Sequence, residues 1–220
     1  MKIIYLSDFN CPYSYIGLNR IMEVCNELSL DVNWEMKSFE LEPKLTEVAD
    51  ACERYAIRNN TTPDNAKSEI EEIEEIAKSE GLNMNYMDLK LANSKDAHRL
   101  VKYCERRHPQ TTQEIILKIF ESNFIDNENI SDKNILVKIA TSCGLDEKEI
   151  SQFLESETLS IEVDLDMDEA LSNGINTTPY YIITYKDERL MVPGVFNKES
   201  FRIAFEDIIS GNIKNNLLPL

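Results

Sequence analysis

The sequence predicts an α/β fold in which a βαβ unit and a ββα unit are separated by a large all-helical insertion. Three observations predict it. Strand-like text occurs only near the two ends of the chain, the text from about Thr46 to Asn173 is almost entirely helical, and glycine and proline are scarce at 6 and 7 residues of 220. Long flexible linkers do not fit that composition. The order assigns 1–40 and 174–220 to one discontinuous domain and 41–173 to the helical insertion.

Residues 2–6 are apolar and β-prone, as a buried strand requires. After the short loop Asp8-Phe9-Asn10, apolar residues from Tyr15 to Leu28 recur at helical spacing, with Pro12 in the first turn, where its missing N–H costs little. Residues 31–38 alternate apolar with polar and predict a second, part-exposed strand, parallel to the first. In the insertion, Ile70, Ile73 and Ile76 line one face of a helix whose other face is acidic, and Gly81 closes it. Further helices are expected near 94–107, 111–124, 132–142, 147–155 and 158–172. Breaks fall at His108-Pro109, at the 126–129 turn with Ser131 as N-cap, and at Cys143-Gly144. Tyr180–Tyr185 then predicts a strong strand, 189–192 its antiparallel partner, and 198–209 a last helix.

The formal charge is −17, from 40 acidic and 23 basic residues. A field of that sign repels phosphate backbones and anionic lipid, so neither nucleic acid nor membrane is an expected partner. No apolar run approaches the roughly 18 residues of a membrane span, and the N-terminus reads as a first strand rather than a signal peptide. A cytoplasmic location is expected. The five cysteines, at 11, 25, 52, 104 and 143, form no Cys-x-x-Cys pair, which excludes a disulfide framework and predicts no metal.

Cys11-Pro12-Tyr13-Ser14 stands between a strand and a helix start. Unpaired N–H groups and the positive dipole end stabilise an anion there, and thiolate is the reactive form of cysteine. A buried packing role for Cys11 is the competing reading. The element order is that of thioredoxin with a helical insertion, and Thr178-Pro179-Tyr180 lies where that fold carries a cis-proline opposite its active cysteine.

Residues along nearly the whole chain resemble the FrnE-like branch of the DsbA family of thioredoxin-like proteins. They include Cys11-Pro12-Tyr13 with Ser14-Tyr15-Ile16-Gly17, Phe39-Glu40-Leu41-Glu42-Pro43, and Asn93-Ser94 with Ala97-His98-Arg99-Leu100. Later matches are Ile130-Ser131-Asp132 with Leu136, Gly144-Leu145-Asp146, Gly174-Ile175 and Pro179-Tyr180-Tyr181. The resemblance implies a thiol–disulfide oxidoreductase or isomerase with its nucleophile at Cys11 and a cis-proline at Pro179. Two departures stand out. Ser14 replaces the family's second cysteine, and Thr177-Thr178 replaces a frequent Gly-Val.

Cys11 and Ser14 cannot form an internal disulfide, and Cys25 lies fourteen residues further along the same helix, roughly 20 Å away. Monothiol chemistry on mixed disulfides is therefore expected, with glutathione or another low-molecular-weight thiol as co-substrate and no tightly bound cofactor. Ser14 Oγ could donate a hydrogen bond to the Cys11 thiolate. The other four cysteines are read as buried thiols, with Cys104 the least implausible second sulfur. Phe9, Pro12, Tyr13, Thr178 and His98 are the expected substrate-contacting residues, with aromatic packing and a satisfied helix histidine as competing readings for Phe9, Tyr13 and His98. His108 reads as a cap-like surface residue. Expected partners are disulfide-containing proteins or small molecules, and a homodimer is compatible with the sequence. Two other readings stay open. One is a glutathione-dependent enzyme of the kappa-class transferase or 2-hydroxychromene-2-carboxylate isomerase type, using a serine near the same junction. The other is a non-catalytic peptide-binding or chaperone-like relic.

Overall fold

In the computed structural model the described residues are 1–212, and the expected domain boundary at 220 falls in 213–220, outside them. β1 (Lys2–Ser7) leads into α1 (Pro12–Glu27) and β2 (Asn33–Ser38). The intervening region holds β3 (Ala49–Asp50), α2 (Ala51–Arg58), α3 (Pro63–Ser79), β4 (Lys90–Leu91), α4 (Lys95–Arg107), α5 (Thr112–Phe124), α6 (Lys133–Ser142), α7 (Glu147–Glu155) and α8 (Ser160–Ser172). β5 (Tyr180–Tyr185), β6 (Glu188–Pro193) and α9 (Lys198–Ser210) follow. The main sheet runs β2-β1-β5-β6, with β1 and β2 parallel and the other two pairs antiparallel. This is the thioredoxin-like architecture with a large helical insertion. No helix among the described residues is long and apolar enough to cross a membrane.

Strand alternation sorts the sheet into two faces. Ile3 and Tyr5 pair with Ile183 and Tyr181, and all four are buried in the main core, which also holds Ile16, Ile21, Phe201 and Phe205 of α1 and α9. Leu6 on the opposite face joins Phe39 and Ala170 in a smaller cluster beneath α8. The main core continues without a break from the sheet into the insertion.

Three expectations are corrected. The insertion is not wholly helical: β3 and β4 pair antiparallel, with Ala51 N donating to Leu89 O at 3.0 Å. Two-residue strands are too short to carry a sequence period. Asp132, not Ser131, caps α6 by accepting from Asn134 N, while the Ser131 hydroxyl bonds Asn129 at 2.7 Å. On α3, Ile70 and Ile73 are buried but Ile76 is exposed, because its neighbours pack against a narrower stripe of the helix.

Candidate active site

Cys11 is the N-cap of α1, with φ −100° and ψ 109°, and Pro12 fills the first helical position. A tight turn delivers it: Cys11 N donates to Asp8 O at 3.0 Å, and Ser14 N donates to Cys11 O at 3.0 Å as the helix begins. The insertion pins the same loop from outside. Asn10 Nδ2 donates to Ala92 O and Asn123 Nδ2 to Phe9 O, both at 2.8 Å. From the far end of the chain, β5 brings up the cis Thr178–Pro179 peptide. The Cys11 Sγ–H donates to Thr178 O at 3.5 Å, so strand and helix meet at the thiol.

Cys11 is 4% exposed and Ser14 1%. The expected Ser14 Oγ–Cys11 hydrogen bond does not form, and Ser14 Oγ has no partner among the described residues. Ser14 belongs to the buried face of α1, turned into the protein. Pro12 and Thr178 are buried and Tyr13 is half-buried. Burial raises the Tyr13 phenol above its ordinary value, with the charges of Cys11, Glu69 and Glu72 adding to the rise.

Phe9 and His98, expected at the substrate-contacting surface, are both buried in the folded chain. Phe9 is fully buried, its ring centroid 4.9 Å from Phe120 and 5.0 Å from His98. The turn that presents Cys11 points Phe9 inward. His98 is 1% exposed, with Nε2 3.4 Å from Asp8 Oδ1. Asp8 is wholly buried and also accepts from Asn10 N at 3.3 Å and Leu41 N at 2.7 Å. Burial pushes its carboxyl up, but His98, the Leu41 N–H and Ser94 outweigh that and hold it below the ordinary value. Glu40, also buried nearby, is raised above its ordinary value by burial, with the His98 charge opposing. His108 is half-buried as the C-cap of α4, with Nε2 3.4 Å from Glu149.

All five thiols are free. Burial pushes Cys25 and Cys104 up to about 12 and also raises Cys52. Cys143 is half-exposed rather than buried, because it is the C-cap of α6 at the protein edge.

Sequence reasoning did not single out Gly17 and Tyr181 as a pair. A Cβ on Gly17 would fall inside 3.0 Å of the Tyr181 hydroxyl, which is buried without a partner among the described residues. Burial raises the Tyr181 phenol well above its ordinary value, and the charge of Cys11 contributes. A glycine inside a predicted helix was the available signal.

A family model of the DSBA-like thioredoxin domain matches residues 2–206. The uncharacterized protein YwbO of Bacillus subtilis (strain 168) is 24% identical over 210 residues, spanning 91% of this chain and 94% of its own. The probable DsbA oxidoreductase SCO1869 of Streptomyces coelicolor superposes with a TM-score of 0.84 at 23% identity, covering 100% of this chain and 93% of that one. The cytosolic disulfide reductase DsbM of Pseudomonas aeruginosa, in its structure with GSH, gives 0.65 at 12% identity, covering 96% and 100%. Likeness at these identities shows a shared fold.

Proposed function

Because this chain belongs to the DSBA-like thioredoxin domain family, we propose that it is a thiol–disulfide oxidoreductase that works through Cys11 alone. One observation carries the reading. The thiol caps α1 against the carbonyl of Thr178, while the position of a second active-site sulfur is occupied by the buried Ser14 hydroxyl.

The chemistry is two exchanges. The Cys11 thiolate attacks one sulfur of a disulfide R–S–S–R′. The Cys11–S–S–R′ bond forms as R–S–S breaks, and R–S⁻ leaves with the electron pair and takes a proton from water. An external thiolate R″–S⁻, formed by loss of a proton from R″–SH, then attacks the mixed disulfide. It releases R′–S–S–R″ and restores the Cys11 thiolate. The substrate is reduced by one thiol equivalent and the external thiol is oxidised, with no internal disulfide required. Pro179 and Thr178 border the attacked sulfur, and Tyr13 is the accessible ring at the mouth.

Glutathione or a similar thiol is the proposed co-substrate, and a cytoplasmic setting suits a protein that borrows its second sulfur. The DsbM structure with GSH supports that choice. The motif residues from Cys11 to Tyr181 support an assignment to the FrnE-like branch. The burial of Ser14 favours this reading over one in which Ser14 meets the sulfur of bound glutathione.

The test is turnover of a glutathionylated protein in the presence of reduced glutathione. Cys11→Ala abolishes deglutathionylation, and Ser14→Cys adds insulin reduction that the native protein lacks. Full turnover by Cys11→Ala contradicts the proposal.

A further inference from the structure

On the insertion side of Cys11, aromatic contacts lead from the active-site helix to a cation without a counter-ion among the described residues. Tyr15 of α1 stacks on Phe124 at 6.2 Å, Phe124 meets the edge of Tyr86 at 5.6 Å, and Tyr86 meets Tyr55 at 6.4 Å. The Arg58 guanidinium lies over the Tyr55 ring, 5.8 Å from its centroid. Arg58 Nη1 and the Tyr86 hydroxyl are both buried, and neither has a well-aligned hydrogen-bond partner among the described residues. Tyr86 is completely inaccessible. Burial pushes its phenol up to about 12, with the charge of Arg58 and a hydrogen-bonding contact from its guanidinium opposing, and the charges of Cys11 and Tyr13 adding to the rise.

That arrangement needs an explanation. An unpaired cation held partly out of water is unfavourable unless something anionic meets it. The chain has 40 acidic residues, and five of its eight arginines hold a carboxylate. Two others are exposed. Arg58 is partly buried and pairs with no carboxylate among the described residues; the nearby Glu69 is taken instead by the Tyr55 hydroxyl at 2.8 Å. With a net charge of −17, the molecule repels anionic ligands unless a local cation offsets the field.

We propose that Arg58, held in place beside the Tyr86 hydroxyl, binds a carboxylate of the disulfide or thiol that reacts at Cys11. The proposal rests on the monothiol reading above and narrows its substrates to carboxylate-bearing ones. A guanidinium presents paired N–H donors that match a carboxylate.

Two arms test it. In the first, second-order rates of Cys11 modification are measured by mass spectrometry with oxidised glutathione, which carries carboxylates, and with 2-hydroxyethyl disulfide, which carries none. Arg58→Gln slows the first reagent about tenfold, as loss of one charge-assisted contact does, and leaves the second within about twofold. Tyr86→Phe slows oxidised glutathione less. Equal slowing of both reagents, or of neither, overturns the proposal. In the second arm, calorimetry measures S-methylglutathione binding to Cys11→Ala protein with and without Arg58→Gln. Binding that weakens about tenfold supports the carboxylate subsite even if Cys11 proves unreactive, in which case only the exchange chemistry falls. Binding that is absent, or indifferent to Arg58, overturns the subsite.

Discussion

Gly17→Ala is a small change with a large expected consequence, because it acts where α1 crosses β5. Inside a helix the exchange ordinarily stabilises by about 1 kcal/mol. Here the added methyl would lie inside 3.0 Å of the Tyr181 hydroxyl, 3.4 Å from Val195 Cγ2 and 3.5 Å from Pro179 Cγ. The last two distances are ordinary contacts, so the hydroxyl decides the outcome. Tyr181 cannot swing away easily, since its ring packs edge-on against Phe201 at 5.4 Å and stacks on Tyr5 at 6.5 Å. Overpacking of this kind costs about 1–3 kcal/mol, which turns the expected gain into a net loss of about 1 kcal/mol. Tyr181→Phe removes a hydroxyl that has no partner among the described residues, so alone it costs little. In that background Gly17→Ala recovers its helical gain, giving a coupling of about 2 kcal/mol in the double-mutant cycle. Urea unfolding followed by Trp34, the single tryptophan, measures all four proteins. Additive effects, or stabilisation by Gly17→Ala with Tyr181 in place, refute the reasoning.

Three further outcomes follow from the same structure. Asp166 accepts from Ser38 N at 2.9 Å and Lys37 at 3.0 Å and pairs with Lys102; Asp166→Asn leaves two cations together and lowers stability by about 3 kcal/mol in urea. Asp8 is held below the ordinary aspartate range in the folded state, so its contribution is fully present above about pH 4 and is lost as pH falls through the lowered value. His98→Ala removes the principal stabilising partner, and acid unfolding followed by circular dichroism moves to higher pH. Cys25 and Cys104, raised by burial, react with iodoacetamide only after unfolding; peptide mapping of native and urea-treated protein checks this.

Much of the architecture was legible in the sequence because short-range signals dominate it. The helices of the insertion carry clear 3.6-residue stripes, although the one cap expected from them, Ser131, lies a residue before the true cap Asp132. The strand–helix junction at Cys11 and the proline at 179 were legible for the same reason. Contacts between distant residues were not. Asp8 and His98 are ninety positions apart, and nothing in either segment announces that the histidine turns inward to a buried carboxylate. Phe9 beside a reactive thiol suggests a contact surface, yet the hydrogen bond from Asn123 helps fix a loop that faces it inward. Ser14 one turn from Cys11 invites a hydrogen bond that the face of α1 does not permit. Arg58 reads as one more surface charge until the folded chain shows which charges already have partners.

The most direct measurement is the order in which the native cysteines are modified by limiting oxidised glutathione, read by peptide mass spectrometry. Exposure alone favours Cys143, which is half-exposed, over Cys11 at 4%. A nucleophile placed at a helix start opposite Pro179 predicts the reverse, with the first adduct on Cys11, removable by reduced glutathione and absent in Cys11→Ala. Adducts that accumulate on Cys143 while Cys11 stays unmodified until the protein unfolds contradict the account.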